Sequence, residues 1–320
     1  MFPKFRPRSA GLIWLTLAAL PALRADVTVR YQTKVDLDPN LPPQVLEQMM
    51  KGVDAGVPPS SSLQLKNGKV RNESGQLVFL ADFLKREITL IDRAGKRDAT
   101  IPADRYADEL TGAMAQMTGQ SKSAMAGMHG HAETKATGRT ATIQGIEGEE
   151  REIDMIIDGP AMANIPAGPM MRMVLHLWTA KAGEAARVPA IGELTRFDML
   201  SFPGGDMVAM TKMFQQMPGF GDAFSTMVKE IKSSGTHVVL RVRVELFLPM
   251  LAAMMRQVSG GGDPAGGDSG APQISLTQEV TEISTAPIAD SVFQIPEGYQ
   301  SAPAADILKD VVKQKMAAAQ

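Results

Sequence analysis

The densest group of ligand-type side chains lies in MAGMHGHAE (125–133), where Met125, Met128, His129 and His131 stand close together. Thioether and imidazole donors suit copper, and one loop carrying four of them has the chemistry to hold an ion. The group is short and unrepeated, and spacing alone sets no coordination geometry. A solvated loop with two incidental histidines is the plainer expectation, so no metal site is assigned and copper handling by 125–131 is kept as an alternative. Ser269 in GGDSGAP (266–272) is the serine considered as a candidate nucleophile. Such a serine needs a histidine base and an aspartate to orient it. The four histidines, His129, His131, His176 and His237, offer no such pairing, and the stretch sits in a Gly-rich linker.

Glu149, Glu150 and Glu152 could do acid–base work as paired carboxylates, but a turn-flanking acidic run is ordinarily a solvated face. His176 lies among Val174, Leu175 and Leu177 and reads as a satisfied strand histidine. The glycines of 260–270 neither follow a strand and open a helix nor precede a Lys-Ser/Thr pair, so they make no phosphate cradle. Cysteine is absent, which removes thiol catalysis and thiolate metal sites. No convergent nucleophile, base and oxyanion donor can be assembled. The expectation is therefore a non-enzymatic protein without a cofactor.

Methionine is the compositional oddity, with 22 residues against 5% aromatics. The clusters fall at 160–173, 206–217 and 249–255. Met is flexible and polarisable, and in most settings simply fills a core. The sharper expectation is an adaptable lining for an apolar ligand. Met207, Met210, Phe214, Met217 and Phe220 are the lining or lid residues expected on that reading. Net charge is −2 and the pI about 6.1, so no global field favours nucleic acid.

The elements that must position these residues are mostly strands. Segments 27–35, 62–73, 76–102, 137–158, 171–180, 237–248 and 273–285 read as strands and hairpins, with Asn67-Gly68 as a strong hairpin turn. Helices are expected at 41–52, 103–119, 206–232 in two pieces, and at the C-terminus, where Ile307, Leu308, Val311, Val312 and Met316 form one stripe. Segment 120–133 reads as a loop, and a turn is expected around 145–148. Strands outnumber helices and few are apolar on both faces, which argues against a doubly wound parallel sheet. The expected class is α+β: a curved antiparallel sheet, a half-closed barrel, with helices covering its concave side.

Residues 1–25 read as an export signal. Lys4, Arg6 and Arg8 precede an apolar run at 10–23, shorter than the ~20 residues a bilayer-spanning helix needs, and small residues follow it. Leu20 or Leu23 occupies the position where a small residue is preferred, so an uncleaved anchor is the alternative. No cysteine follows the signal to carry a lipid anchor. The expected layout is a signal at 1–25, one domain at 26–300 with a flexible Gly-rich insert at 259–272, and a C-terminal helix at 301–320. The expected location is the periplasm or outside a bacterial cell, with membrane contact only transient or through an uncleaved signal.

The segment EVTEISTAPIADSVFQIPEGY (279–299) closes on Ser291-Val292-Phe293-Gln294-Ile295-Pro296-Glu297-Gly298-Tyr299. This ending resembles exported bacterial domains of unknown function that are similar to LolA-type periplasmic lipoprotein carriers. The hairpin KNGKVRNE, the segment REITLIDRAGK and TGRTATIQGIEGEEREI occur in matching order, though Gly145-Ile146-Glu147-Gly148 departs from the pattern and lacks its usual Cys. The resemblance implies a half-closed antiparallel barrel with helices over a hydrophobic concavity, holding a lipid or a lipidated partner. A structural or partner-binding module with a filled core is the other alternative.

Overall fold

The computed structural model describes residues 26–117, 129–159, 168–197, 220–233, 236–249 and 271–318. They form one large, mostly antiparallel sheet of twelve strands that does not close, together with several helices. The strands are β1 (Val27–Leu37), β2 (Ser60–Lys66), β3 (Lys69–Ser74), β4 (Leu77–Asp82), β5 (Glu87–Asp92), β6 (Arg97–Pro102), β7 (His129–Ile143), β8 (Ile146–Gly159), β9 (Gly168–Ala180), β10 (Val239–Phe247), β11 (Ile274–Ser284) and β12 (Gln300–Ser301). Their spatial order is β12-β6-β5-β4-β3-β2-β1-β11-β10-β9-β8-β7. Two meanders are therefore joined where the first strand pairs with β11, and β12 alone runs parallel to its neighbour.

Tight turns set the register. Asn67 and Gly68 both have positive φ, 50° and 79°, the conformation that matches strand twist in a two-residue hairpin. Gln144 and Gly145 do the same between β7 and β8, so the turn lies at 144–145 and Gly148 is inside a strand. Residues 129–133 belong to β7 rather than to a loop: His129 to Glu133 pair regularly with Asp158 to Asp154. Composition suggested the loop, and pairing with a regular neighbour overrides it.

Helix α1 (Pro43–Gly56) starts with Pro43 in its first turn and runs through Gly52, a position that costs a helix ~1 kcal/mol but does not end it. The other helices are α2 (Ala103–Met117), α3 (Glu184–Arg187), α4 (Pro189–Arg196), α5 (Phe220–Ser233) and α6 (Ala304–Ala318). The main core joins Val27, Leu65, Val70, Ile88 and Leu90 of the sheet to Tyr106 and Ala107 of α2, Ile191 of α4, and Ile307 and Leu308 of α6. Tyr106 meets Phe79 edge-on at 5.3 Å between ring centroids. A second core joins Ile153, Met155, Ile157 and Leu177 to Phe224, Met227 and Ile231 of α5.

Residues 285–299 form a strap across the other side of β2, β3 and β4. Lys66 Nζ donates to the Ile288 carbonyl and pairs with Asp290 at 2.8 Å and Asp26 at 3.6 Å. The Ile288 N–H donates to Asp26 at 2.7 Å, and Arg71 donates to the Val292 carbonyl at 2.7 Å. Tyr299 packs on Val78, Leu80 and Ile91. The SVFQIPEGY ending is thus this strap, including a 3-10 turn at Asp290–Phe293. It delivers the chain to β12 and then to α6.

Asp92 ties α6 to the β5–β6 turn. Its carboxylate accepts from the Gly95 N–H and from Arg97, and Arg97 also donates to Asp310 of α6 at 2.8 Å. Burial works against the charge on Asp92. The backbone donors Gly95 and Ala94 and the Arg97 guanidinium outweigh it and hold the carboxyl below its ordinary 3.8. The stabilisation is complete above about pH 4 and is lost as pH falls through the depressed value. Asp92→Asn should cost about 2 kcal/mol at pH 7. Urea melts at pH 7 and in steps below pH 4 should show that gap shrinking with acid; a gap independent of pH would contradict the assignment.

Candidate functional site

Paired residues in an antiparallel sheet share a face, so the register lists each face row by row. Across β1, β11, β10, β9, β8 and β7, one row is Val35, Leu276, Val244, Leu175, Ile153 and Thr134. The next is Leu37, Ile274, Leu246, Met173, Met155 and Ala132. A third is Thr33, Gln278, Val242, Leu177, Arg151 and Ala136. These rows make a continuous apolar surface with polar residues confined to its margins.

Burial divides that surface. Over β2–β6 the corresponding residues are sealed: Leu65, Val70, Ile88 and Leu90 are at most 2% exposed. At β8, under α5, Ile153 and Met155 are 1% and 3% exposed. Between these two cores Val35, Leu37, Ile274, Leu276, Val244 and Leu246 are only half-buried, as are Leu175 and Met173 where they pack against the second core. Tyr31 lies at the inner end of this strip, opposite Val280 and Ser61. Burial pushes its phenol up to about 12, while part of the side chain stays accessible.

The opposite face carries the charges. Glu150, Trp178, Arg241 and Glu279 form one row, and Glu152, His176, Arg243 and Thr277 the next. Glu150 is 1% exposed, contrary to the expectation of a solvated acidic run. An irregularity in β7 explains it. Two extra residues between Ala136 and Thr140, with Gly138 at φ 71°, arch the strand over the carboxylate. Thr137 Oγ1 donates to it at 2.7 Å, Arg139 donates through both Nε and Nη2, and His176 Nδ1 lies 3.0 Å away. Burial opposes the charge on Glu150, but the Thr137 and Arg139 hydrogen bonds and the charges of Arg139 and His176 prevail, and the carboxyl is held low. His176 also faces Glu152 at 3.8 Å and Glu245 at 3.6 Å. Both ring nitrogens have partners, as a satisfied histidine should. Arg241 sits over the Trp178 ring at 5.1 Å.

The structure brings few of the sequence candidates together. Met207, Met210, Phe214 and Met217 lie outside the described residues, as do Met125, Met128 and Ser269. Phe220 is the first residue of α5. His129 and His131 are on β7, where His131 Nδ1 stands 3.7 Å from Asp158 and is 56% exposed. Among the described residues no group of three His, Cys, Asp or Glu could hold a metal ion. No helix among the described residues is long and apolar enough to cross a membrane. The half-buried strip itself was not anticipated. Its signal is period-two alternation in β1, β9, β10 and β11, but alternation alone does not say whether the apolar side is covered.

No family model matches this chain, and no curated protein matches it. Among solved structures it is similar to "Structure of PNGF-II in C2 space group", at a TM-score of 0.33 and 9% identity. The alignment covers 91% of this chain and 33% of that one, so the chain spans about a third of the length of the solved protein. A likeness of that size carries no argument about activity.

Thr134 generates a direct test of the sheet's second core. Its Oγ1 is buried without a hydrogen-bond partner, on the row shared with Ile153 and Leu175. An orphaned buried hydroxyl costs ~1–3 kcal/mol. Thr134→Val keeps the β-branched shape and removes the orphan, so thermal melts should show a rise worth about 1 kcal/mol. Glu150→Gln should do the reverse, losing about 2 kcal/mol by weakening charge-assisted hydrogen bonds.

Proposed function

We propose that the protein is a non-enzymatic, exported binder of a hydrophobic ligand, a lipid or a lipidated partner, held against the strip between the two cores. The supporting observation is the contrast in burial along one apolar face: sealed over β2–β6 and at β8, but half-buried across β1, β11, β10 and β9. A monomer rarely leaves a large contiguous apolar patch open without a use for it. On this reading the open sheet curves into a half-closed barrel, with helices over its concave side, within one domain at 26–300. The flanking second core adds Met155, Met173 and Met227, whose flexible thioethers adapt to alkyl chains of different shape. Residues 1–25 direct the chain to the bacterial envelope, where such ligands are handled and membrane contact is transient.

Each methylene moved from water into this strip is worth ~0.8 kcal/mol, so a long chain binds without any charged contact. The mature protein, purified from its host and extracted with organic solvent, should release a lipid identifiable by mass spectrometry. Adding that lipid back should raise the melting temperature. Leu276→Asp should abolish both effects, and the milder Val244→Ala should weaken them. Lys34→Glu, on the charged face, should leave them intact. An empty extract together with no lipid-induced shift would sink the reading.

A further inference from the structure

Resting on the exported, lipid-handling reading, we propose that the protein docks on anionic phospholipid bilayers through the apex built by the β2–β3 and β4–β5 turns. Leu84 enters the bilayer interface there, and Lys69, Lys85, Arg86 and Arg105 meet the phosphates. Among the described residues Leu84 is the most exposed large hydrophobic, at 78% against 42% for Met50 and 41% for Ile295. A lone exposed leucine needs no explanation, but this one is held out by a built turn. Asp82 Oδ1 accepts from the Leu84 and Lys85 N–H groups at 3.1 and 3.0 Å. The Phe83 N–H donates to the Gly68 carbonyl at 2.9 Å. The carbonyl of Arg86, which has φ 56°, accepts from the Ala103 N–H at 2.8 Å. Phe83 meets Phe197 edge-on at 5.5 Å, and a Cβ at Gly68 would stand 3.5 Å from Leu84 and 3.4 Å from Phe197. The leucine is thus presented on a fixed support, so little order is lost when it is buried elsewhere.

The charges around the apex select the occupant. Lys69, Lys85, Arg86 and Arg105 are exposed, and the last three have no ion-pair partner among the described residues. The carboxylates nearby are mostly committed. Asp82 caps the turn, Asp290 pairs with Lys66, and Glu193 faces Arg196 at 3.3 Å. Glu87 is half-buried, which leaves Asp104 as the exposed, uncommitted acid. An apolar knob among cations suits the interface of a negatively charged bilayer, where the leucine leaves water and the cations keep their charges at the headgroups. One leucine and a few cations make the attachment reversible and salt-dependent. The apex lies just beyond Leu65, which pairs with Val27, whereas the half-buried rows begin at Thr33. Val27 and Val35 stand about 26 Å apart along β1, so apex and strip can be altered separately.

Co-sedimentation of the mature protein with phosphatidylcholine vesicles, pure or containing one-third phosphatidylglycerol, tests this. The wild type should bind the anionic vesicles at least tenfold more tightly than the neutral ones and lose most of that margin at high salt. Leu84→Ser should weaken anionic binding about tenfold, the worth of burying one leucine side chain. Lys85→Glu/Arg86→Glu should weaken it by at least as much. Both variants should melt like the wild type, because the altered side chains are exposed. In Leu84→Trp the indole emission should move to the blue on anionic vesicles. Met50→Ser, which removes the next most exposed hydrophobic residue, should change nothing. Leu276→Asp separates the two readings, since it should abolish lipid recovery and leave vesicle binding intact. If the wild type ignores anionic vesicles, or if Leu84→Ser binds them as well as the wild type, the docking apex is wrong while the hydrophobic-ligand reading stands on its own extract. If vesicles bind through Leu84 but the extract is empty, the apex stands and the strip reading falls.

Discussion

Everything in this molecule depends on twelve strands keeping their alternation in step. Side chains alternate with period two, so a slip of one residue between neighbours would exchange the apolar and charged faces of every strand beyond it. The register tolerates irregularities without losing parity overall. The shift between Arg30 and Tyr31 keeps Val29 opposite Ile283 and Tyr31 opposite Val280, all apolar-side residues. The two-residue arch at 137–139 is an even insertion, so β7 leaves it in the same phase and Ile143 still faces Ile146. An odd insertion there would have turned the end of β7 inside out.

A sheet this wide has more apolar face than the described helices cover, and that imbalance organises the rest. One half is closed by α2, α4 and α6 around a core that is nearly dry. At the far end α5 closes a separate, Met-containing core. The open edges are handled by different means. The β12 edge is two residues long, too short to recruit another strand. The β7 edge carries the arch with Arg139 and lies against α5, both of which blunt a strand as a template for pairing. Among the described residues, the part of the apolar face that stays half-buried is its middle, across β1, β11, β10 and β9, rather than its rim.

The sequence was most legible where local chemistry decides. The Asn67-Gly68 turn, the meander at 76–102 and the alternation of Arg241 and Arg243 against Val242 and Val244 were all readable, because turn type and period two are local properties. It was least legible where distant partners decide. Residues 129–133 look like a loop until Asp158 to Asp154 come to pair with them. Glu150 looks solvated until Gly138, twelve residues earlier, lets Thr137 and Arg139 fold over it. The pair Tyr31 and Gln278 is the extreme case. They are brought side by side only because the first strand closes on β11 near the end of the chain, and nothing in either segment announces a partner. The Met-rich stretch 206–217 drew attention by composition, whereas the described apolar strip draws its residues from four strands, of which β9 overlaps the methionine cluster at 160–173 and the other three are unusual in nothing.

The polar face carries charge networks at both ends of the sheet. Over β2–β4 the strap pins itself through Lys66 and Arg71, both largely buried, to backbone carbonyls and to Asp26 and Asp290. Over β7–β10 the Glu150, His176 and Arg139 cluster ties three strands side to side. Desolvated charge pairs of this kind add little net stability compared with apolar packing, but they are strongly disfavoured when mispaired. The Glu150 cluster therefore adds to register beside the half-buried rows of β9 and β10, while the strap backs a part of the sheet whose apolar face is already sealed. On the proposed reading this is a division of labour between faces. Charges on one side fix which residues stand together, and that frees the other side to leave Val35, Leu276, Val244 and Leu175 available for a ligand instead of spending them on the core.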